Sequence, residues 1–593
     1  MNAFRPISRA LRLTGWIGLA LASWSARAEQ RPATALWATH AMDRVMRDRA
    51  PSTDWEPQLH AARGEWEALQ VVVSGAPEDV QGALLTSLSL KGPDDALIPA
   101  PVLLREHYVA VTASSEASPL PAGDYPDALV PQSFPWQGLP KLTRINQPFW
   151  VDVYVPPDAH PGDYRGVVSA TLVSGQKLSL DFKLHVWDFN LPRVPAMKSS
   201  IFVVWRRIAK IHGFDPEASR AEPRLQRILN DYYDMLVDNR LSPHEVWQTY
   251  PDADKPVSEK SYASIERGLV DHLLQRQAGT IGLPLWPTWP FGDPLRTDRS
   301  AAMEYVVRYY RICEKLGCAD RLYKVFGELD EPNDLKAYSQ VREWGRFFHE
   351  IQLKYGVKVP LMVTEQPTPE DANWGSLTES VDIWVPHVSD VWNDLEAPKA
   401  TQEIPRRLAA GQQVWTYTAM VQTPEAWKKL HGNPKTLGVG QPPVWLTDYP
   451  PMNYRILGWL MPRHHISGFT YWDTSYWRHE EHDVWTNAGT YPHDNGEVYN
   501  GDGLLIYPAR QERQGMEGPV ASIRLKWLRE CADDFDYVHM LEERGFRNLA
   551  IDGSANFARG FGDWDDNVPG LYQTRLVMGG LLEKLVSRSR KSP

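Results

Sequence analysis

Cysteine is scarce in this chain: its 593 residues include only three, Cys313, Cys318 and Cys531. An odd and sparse set cannot form the disulfide framework of a small secreted domain. Cys313 and Cys318 flank the end of a predicted helix, where their separation in sequence holds the Cα atoms too far apart for easy bridging. We therefore expect buried thiols and a fold stabilised by hydrophobic cores, which a chain of this length can build.

The chain also lacks an excess of basic residues. It has 63 lysines and arginines against 74 aspartates and glutamates, a formal net charge of −11. Proteins that bind nucleic acid or anionic membranes depend on clustered lysine and arginine, and here only the tail, residues 588–591, is basic. The composition therefore argues against a nucleic-acid partner.

The amino terminus has no apolar run long enough to span a bilayer as a stable helix. Residues 13–24 form a short apolar stretch behind Arg5, Arg9 and Arg12, and residues 26–28 read Ala-Arg-Ala. This order of features predicts a cleavable signal peptide over residues 1–28. We expect a periplasmic or secreted protein with no membrane span after cleavage; the competing interpretation is an uncleaved anchor.

No metal or cofactor is predicted from the histidine and acid spacings. His479 and His482 are three residues apart, whereas the zinc motif HExxH needs four. His464 and His465 are adjacent and would face apart. Residues 493–503 are rich in turn formers but lack the spacing of a calcium loop.

The first third of the chain has the pattern of β-strands. Short apolar or alternating runs, separated by turn residues, lie at 64–75, 84–90, 149–155, 164–173 and 178–189. We predict an N-terminal antiparallel β-sandwich over residues 29–192. Within it, residues 112–146 are Pro-rich and low in pattern, and are predicted to be a loop that is disordered or reaches over a functional site.

After Pro192 and Pro195 the pattern changes to alternating strands and helices. Eight strand-like runs lie at 200–205, 244–248, 279–285, 323–329, 360–365, 382–387, 413–419 and 467–472. This is the strand count of a (β/α)8, TIM-like barrel, which we predict for residues 193–545. Residues 546–593 are predicted to be a C-terminal helical extension and tail.

The most informative stretch is RLYKVFGELDEPND, residues 321–334. An apolar run typical of a buried parallel strand leads into Glu328, Asp330, Glu331 and Asp334. Carboxylates at such a strand end cost free energy unless they are paired or face a cleft, and the chemistry of parallel α/β folds lies at these ends. Asp330 and Glu331 are therefore the candidate catalytic acids of a glycoside hydrolase. The alternative is a strand-to-helix turn in which Asp330 and Asp334 cap the next helix.

Other predicted strand ends also carry polar and aromatic residues, namely Glu365, His387, Trp415, Tyr417, Trp472 and Asp473. Because these ends would meet at one mouth, we predict a sugar pocket with aromatic faces and fixed polar groups for hydroxyls. The chain has 25 tryptophans and 24 tyrosines, and several lie in such segments. For each residue alone, packing or capping is the alternative, and strand alternation could turn Trp415 outward to the helices.

Together these motifs resemble glycoside hydrolase family 123. The resemblance rests on GEWEALQ from residue 64, FNLP before the barrel, Asp-Glu-Pro at strand 4, WTYT, GFTYW, NGDGLLIYP (500–508) and SIRLKWLRECADDFDY (522–537). It covers about residues 55–545, and the order of the motifs is more specific than any one of them.

The resemblance implies a β-N-acetylgalactosaminidase with a retaining, substrate-assisted mechanism. Glu331 would be the general acid/base, and Asp330 would orient and stabilise the 2-acetamido group, whose oxygen attacks the anomeric carbon. Tyr417 is suited to hydrogen-bond the acetamido oxygen, and Trp472 to form the floor under the sugar ring. Since neighbouring side chains on a strand point apart, we predict a twist or bulge near Asp330 that brings both acids inward.

Two other functions stay open from the sequence. One is a two-carboxylate glycosidase with Glu331 as acid and Glu365 or Asp473 as nucleophile or base. The other is a non-catalytic glycan-binding protein of the cell envelope. The expected partner is a glycan or glycoconjugate in each case, and no oligomeric state is predicted.

Overall fold

The computed structural model describes residues 33–591 except residue 53 and residues 217–221, 252–256, 326–329, 368–370, 390–397, 421–441, 477–482 and 493–497. The predicted signal peptide, the histidines at 479 and 482 and the end of the fourth barrel strand lie outside the described residues.

Two β-sheets pack face to face in the first part of the chain. One sheet has the strand order Ala35–His40, Trp66–Gly75, Ile145–Tyr154, Val102–Val111, Gly123–Val130. The other has the order Gln58–Arg63, Lys177–Asn190, Gly162–Thr171, Leu90–Lys91, Leu97–Ile98, with Leu84–Ser87 beside Gly162–Thr171. Their inward faces form one buried cluster that includes Val71, Phe149, Val151, Phe182 and Leu184. The pairing is antiparallel except between Gln58–Arg63 and Lys177–Asn190, so the architecture is that of a β-sandwich.

The prediction of a continuous loop over residues 112–146 is wrong, because Gly123–Val130 is a strand paired with Val102–Val111. Six successive residues of this strand are buried, so no polar and apolar alternation marks it in the sequence. The remaining segment does reach across to the barrel: the Ser115 backbone N–H and hydroxyl donate to the two carboxylate oxygens of Asp448 at 2.6 and 2.7 Å.

Seven parallel strands form a nearly closed barrel in the second part of the chain. In order around the barrel they are Lys198–Ile201, Gly468–Tyr471, Gln413–Tyr417, Ile383–Trp384, Leu361–Val363, Leu322–Val325 and Ile281–Gly282. The surrounding helices are Trp205–Ile211, Pro223–Asp238, Glu259–Leu269, Arg299–Lys315, Leu335–Tyr355, Pro398–Ala409, Met452–Arg455, Leu457–Arg463 and Ile523–Glu542. Helix Leu335–Tyr355 shows how the sequence fixes its ends: the Asp334 side chain accepts from Ala337 N at its start, and Gly356 follows its end with a φ of 66°.

One of the eight predicted strands, the second in chain order at 244–248, does not form, because Trp247–Thr249 is a short 3-10 helix. Residues 242–244 nevertheless bridge the gap between the first and third predicted strands. Ile201 N donates to Ser242 O at 2.9 Å, and Gly282 N donates to His244 O at 2.8 Å. Pro243 lies between them and has no N–H for a ladder, which explains why the contact is a bridge and not a regular strand.

The chain ends in two helices, Arg547–Gly553 and Val568–Lys591, separated by a small hairpin of Ala558–Gly560 and Asp563–Trp564. The last helix packs on the sandwich, where Gly579 lies against Trp187. All three cysteines are buried and free, as predicted. Within the described ranges, none of the helices is long and apolar enough to cross a membrane.

Helix Ile523–Glu542 lies between the sandwich, the barrel and the last helix, and most of its charged side chains are buried. Arg529 pairs with Asp152 of the sandwich at 2.7 Å, and Lys526 approaches the same carboxylate at 3.1 Å. On the barrel side, Arg455 pairs with Asp534 at 2.6 Å. Burial alone would raise the pKa of Asp152, but the charges of Arg529 and Lys526 outweigh it and hold the pKa well below its ordinary value.

Replacing Asp152 by alanine is expected to destabilise the protein by about 3–5 kcal/mol, because buried Arg529 and half-buried Lys526 would lose this carboxylate. Urea or thermal unfolding measures the effect. Since the folded-state pKa of Asp152 is depressed, its contribution is complete above the ordinary carboxyl pKa near 4, so the difference between wild type and variant should be full at neutral pH and shrink in stronger acid. Glu56→Ala, which removes an exposed pair with Lys183, is the control and should change stability little. Equal effects of the two substitutions would show that the pairing of Asp152 with Arg529 and Lys526 does not stabilise the fold.

Candidate active site

A pocket of about 470 Å³ opens at the carboxyl ends of the barrel strands, a size within the range of small-ligand sites. Its lining combines aromatic, aliphatic and carboxyl side chains from five strands and the segments that follow them: Phe202, Val325, Asp330, Glu331, Met362, Thr364, Tyr417, Ala419, Met420, Thr470, Trp472, Tyr491 and Asp502. Of the eight residues predicted from the sequence, the structure brings four to this lining: Asp330, Glu331, Tyr417 and Trp472.

Asp330 and Glu331 lie side by side on the pocket, and both side chains are exposed. The predicted irregularity lies at Glu331, whose φ of 48° is in the left-handed region that non-glycine residues seldom adopt. Asp334, and not Asp330, caps the following helix. Within the described part of the chain neither acid forms an ion pair with a lysine or arginine, so both carboxyls remain available to a ligand.

Thr364 holds the two acids together. Its hydroxyl donates to Asp330 Oδ1 at 2.6 Å, and the same oxygen accepts the backbone N–H of Glu331 at 3.0 Å. One side chain on the neighbouring strand therefore fixes the carboxylate of one acid and the backbone of the next.

Tyr417 lies over Glu331, and its hydroxyl donates to Glu331 Oε1. His387 supports the tyrosine from below: the two rings are edge to face, 4.9 Å apart. Burial lowers the pKa of His387 to about 4, so its imidazole is neutral at neutral pH. Its Nε2 accepts from Ala419 N at 3.2 Å, which ties the tyrosine support to the next segment of the lining.

Asp502 holds the other side of the pocket. Its Oδ1 accepts from Tyr471 OH at 3.0 Å and from Trp472 Nε1 at 3.3 Å, and its Oδ2 accepts from Met420 N at 3.1 Å. Asp502 is 2% exposed, and burial raises its pKa while these hydrogen bonds oppose the rise. This carboxyl therefore fixes the plane of the Trp472 indole in the lining.

The other predicted site residues lie behind the lining. Glu365 accepts from Tyr338 OH at 3.2 Å and from Gln366 N at 2.8 Å. Trp415 is 1% exposed and packs inside the barrel, 5.6 Å from the ring of Tyr323. Strand alternation thus points Trp415 inward, one layer below Tyr417.

Asp473 is also buried behind the lining. Its carboxylate accepts from Thr474 N and Ser475 N at 2.8 and 3.0 Å and pairs with Arg207 at 3.1 Å. Burial raises its pKa to about 6, although Arg207 acts in the opposite direction. These contacts describe a structural carboxylate that supports the loop after Trp472.

Thr364, Met420 and Asp502 belong to the lining but were not predicted as site residues. Thr364 directly precedes Glu365 at a strand end that was recognised, and Asp502 lies in the NGDGLLIYP motif. Met420 carries no sequence signal that marks it. Among the described residues, no group of three or more His, Cys, Asp and Glu side chains is arranged to hold a metal ion.

Comparison with known proteins gives a family match and a match of fold. Residues 370–541 match the model of the family described as Glycoside hydrolase 123, catalytic domain; this range begins after Asp330 and Glu331. No curated protein matches the chain. Among solved structures, the chain is similar to a family 123 glycoside hydrolase from Clostridium perfringens, with a TM-score of 0.65 and 12% identity over 94% of this chain and 100% of that one. At this identity the similarity shows the fold.

Two further solved structures are more distant. A family 39 glycoside hydrolase from Bacteroides cellulosilyticus WH2 has a TM-score of 0.30 and 10% identity over 81% of this chain and 82% of that one. A GH5 xyloglucanase from Bacteroides ovatus has a TM-score of 0.23 and 9% identity over 80% of this chain and 98% of that one.

Replacing Thr364 by valine is expected to lower kcat by about 10–100-fold, because a displacement of about 1 Å in a catalytic group can cost about 100-fold. Hydrolysis of an aryl glycoside measures the effect. Thr364→Ser keeps the hydroxyl and should retain most of the activity. A valine variant as active as the serine variant would show that the hydrogen bonds of Thr364 do not position the acids.

Proposed function

We propose that this chain, a glycoside hydrolase whose residues 370–541 match a family 123 catalytic domain as the resemblance of its motifs predicted, releases terminal β-linked N-acetylhexosamine, N-acetylgalactosamine in particular. The proposed mechanism is retaining and substrate-assisted. The observation that carries this proposal is the placement of Asp330 and Glu331 side by side on one aromatic-lined pocket, tied together by Thr364. The barrel around this pocket is proposed to be a (β/α)8 barrel in which residues 242–244 stand where a regular barrel would have its remaining strand.

In the first step, the 2-acetamido oxygen of the substrate attacks the anomeric carbon while the glycosidic C–O bond breaks. Glu331 gives its proton to the departing oxygen. Asp330 accepts a hydrogen bond from the acetamido N–H and stabilises the positive charge of the oxazolinium intermediate. In the second step, Glu331 takes a proton from water, which attacks the anomeric carbon from the leaving-group side and regenerates the acetamido group. Two inversions give overall retention.

The contacts of Glu331 support its role as the acid. Tyr417 donates to Oε1, which leaves Oε2 to carry the transferable proton. We expected Tyr417 to bind the acetamido oxygen; its hydrogen bond to Glu331 favours a role in orienting the acid. Trp472 is proposed to stack under the sugar ring, with its indole held by the hydrogen bond to Asp502.

The arrangement of the remaining carboxyls supports substrate assistance over a second enzymatic carboxylate. A two-carboxylate glycosidase needs a nucleophile or base about 5–9.5 Å from the acid. Glu365 and Asp473, the candidates from the sequence, do not belong to the lining. The other carboxyl of the lining, Asp502, is occupied by three hydrogen-bond donors.

We further propose that the enzyme acts outside the cytoplasm, on the strength of the leader-like residues 1–28. The Clostridium perfringens enzyme of similar fold is described in terms of glycolipid glycan hydrolysis. Glycolipid-derived glycans with a terminal β-linked N-acetylgalactosamine are therefore suitable natural substrates to test.

The loss of kcat/KM should depend on the leaving group of the substrate for Glu331→Gln but not for Asp330→Asn. With a 4-methoxyphenyl N-acetylgalactosaminide, whose leaving group needs a proton, Glu331→Gln should lose about 100–10,000-fold in kcat/KM. With a 2,4-dinitrophenyl glycoside this loss should be much smaller, because the leaving group departs without protonation. Asp330→Asn should be impaired on both substrates, because acetamido participation is needed for each. Steady-state kinetics on the two substrates measures the difference.

Asp334→Asn is the matched control, because Asp334 caps a helix beside the pair and asparagine caps equally well. It should have near wild-type kinetics. A thiazoline analogue of the N-acetyl sugar should inhibit competitively, since it mimics the oxazolinium intermediate. Absence of inhibition, or full activity of Glu331→Gln on the poor leaving group, would refute the proposed mechanism.

A further inference from the structure

A cluster of aromatic rings occupies the barrel mouth beside the catalytic pocket. Its members, here called the aromatic cluster, are half-buried side chains: Trp205, Trp247, Tyr250, Trp286 and Trp289. The five residues follow three neighbouring segments of the barrel wall, namely strand Lys198–Ile201, residues 242–244 and strand Ile281–Gly282. Because the carboxyl ends of parallel strands share one rim, the cluster lies on the same rim as the catalytic acids.

The rings form a continuous surface. Trp205 and Trp247 are 4.7 Å apart, and Trp247 and Tyr250 are 5.3 Å apart, measured between ring centroids. Tyr250 is 5.5 Å from each of Trp286 and Trp289. These distances are those of direct aromatic contact, so the five rings act as one wall.

Hydrogen bonds hold two parts of the wall. Trp286 N donates to Trp289 O at 2.7 Å and Trp289 N donates back to Trp286 O at 3.3 Å, so a two-residue turn holds the backbone that carries both indoles. The hydroxyl of Tyr250 donates to Glu245. A surface that is ordered before binding loses little conformational entropy when a ligand docks on it.

A chain of contacts joins the aromatic cluster to the pocket. Phe202, a residue of the lining, stacks on His244 with the ring centroids 4.1 Å apart and the planes 12° apart. His244 Nε2 lies 3.2 Å from Glu245 Oε1, and Glu245 accepts the hydrogen bond of Tyr250. These contacts join the aromatic cluster to the Phe202 side of the pocket lining.

We propose that the aromatic cluster is a second sugar-binding subsite, which holds the part of the glycan beyond the terminal residue. The inference rests on the proposed exo-acting function, in which everything outside the pocket belongs to the leaving group. Flat rings with an N–H or O–H at one edge are suited to the C–H face and the hydroxyls of a pyranose. The natural substrate is accordingly an oligosaccharide or glycoconjugate with at least one further sugar.

The test compares two substrates that share a terminal β-linked N-acetylgalactosamine. Methyl β-N-acetylgalactosaminide fills the pocket alone, whereas a trisaccharide with the same terminal residue also reaches the cluster. Trp286→Ala should lower kcat/KM on the trisaccharide about tenfold more than on the methyl glycoside, the size expected for loss of one anchoring aromatic. The loss should lie mainly in KM, and Trp286→Phe, which keeps a ring, should recover most of it.

Trp55→Ala removes a half-buried tryptophan of the sandwich and is the matched control; it should leave the ratio of the two kcat/KM values at the wild-type value. Equal losses of Trp286→Ala on both substrates, or no loss on either, would overturn the inference. An equal loss on the octyl glycoside of the same sugar would also overturn it, because the surface would then bind apolar leaving groups in general.

A binding measurement separates this inference from the proposed function. Isothermal titration of the trisaccharide into Glu331→Gln, with and without Trp286→Ala, should show about tenfold weaker binding in the double variant. If wild type hydrolysed neither substrate, the proposed function would fail while the titration still decided the subsite. If wild type were active but the titration gave equal affinities, the subsite alone would be refuted.

Discussion

The buried charges of helix Ile523–Glu542 are the constraint on which the assembly of this protein depends. Arg524 and Arg529 pair with Asp127 and Asp152 on strands of the sandwich. On the other side, Asp533 forms an ion pair with Arg240 at 2.7 Å and Asp534 pairs with Arg455. An unpaired buried charge costs several kcal/mol, so the arrangement of sandwich and barrel that pairs all of them is strongly favoured over any other.

The same helix reaches the catalytic pocket through one arginine. Arg524 Nη1 donates to Gly501 O at 2.8 Å, and the next residue, Asp502, fixes Trp472. Gly501 has a φ of 76°, and a Cβ there would lie 2.2 Å from Thr447 Oγ1, so only glycine fits. The sandwich is thus connected through Asp127, Arg524 and Gly501 to the Trp472 side of the pocket lining, and it acts as part of the scaffold of the pocket.

The sequence predicts the two-part architecture, the acid pair and two of the lining rings, Tyr417 and Trp472, but at some strand ends it does not decide which of two neighbouring residues faces the pocket. The predicted site residues include Glu365 and both Trp472 and Asp473, whereas the lining contains Thr364 and Trp472. Successive side chains of a strand point to opposite faces, and the register that decides between them depends on neighbouring strands. Asp502 lies on a segment outside the barrel strands, so no periodicity places it at the pocket.

The acid pair itself shows why a local motif is insufficient to form the site. Regular strand geometry would separate the side chains of Asp330 and Glu331, and the positive φ of Glu331 avoids this. Met420, across the pocket, also has a positive φ, of 51°. Such conformations cost of the order of 1–3 kcal/mol for residues other than glycine, and in both cases a side chain of the lining accepts the backbone N–H: Thr364 for Glu331 and Asp502 for Met420. Since both acceptors come from other segments, this geometry of the pocket lining arises only when the barrel is assembled.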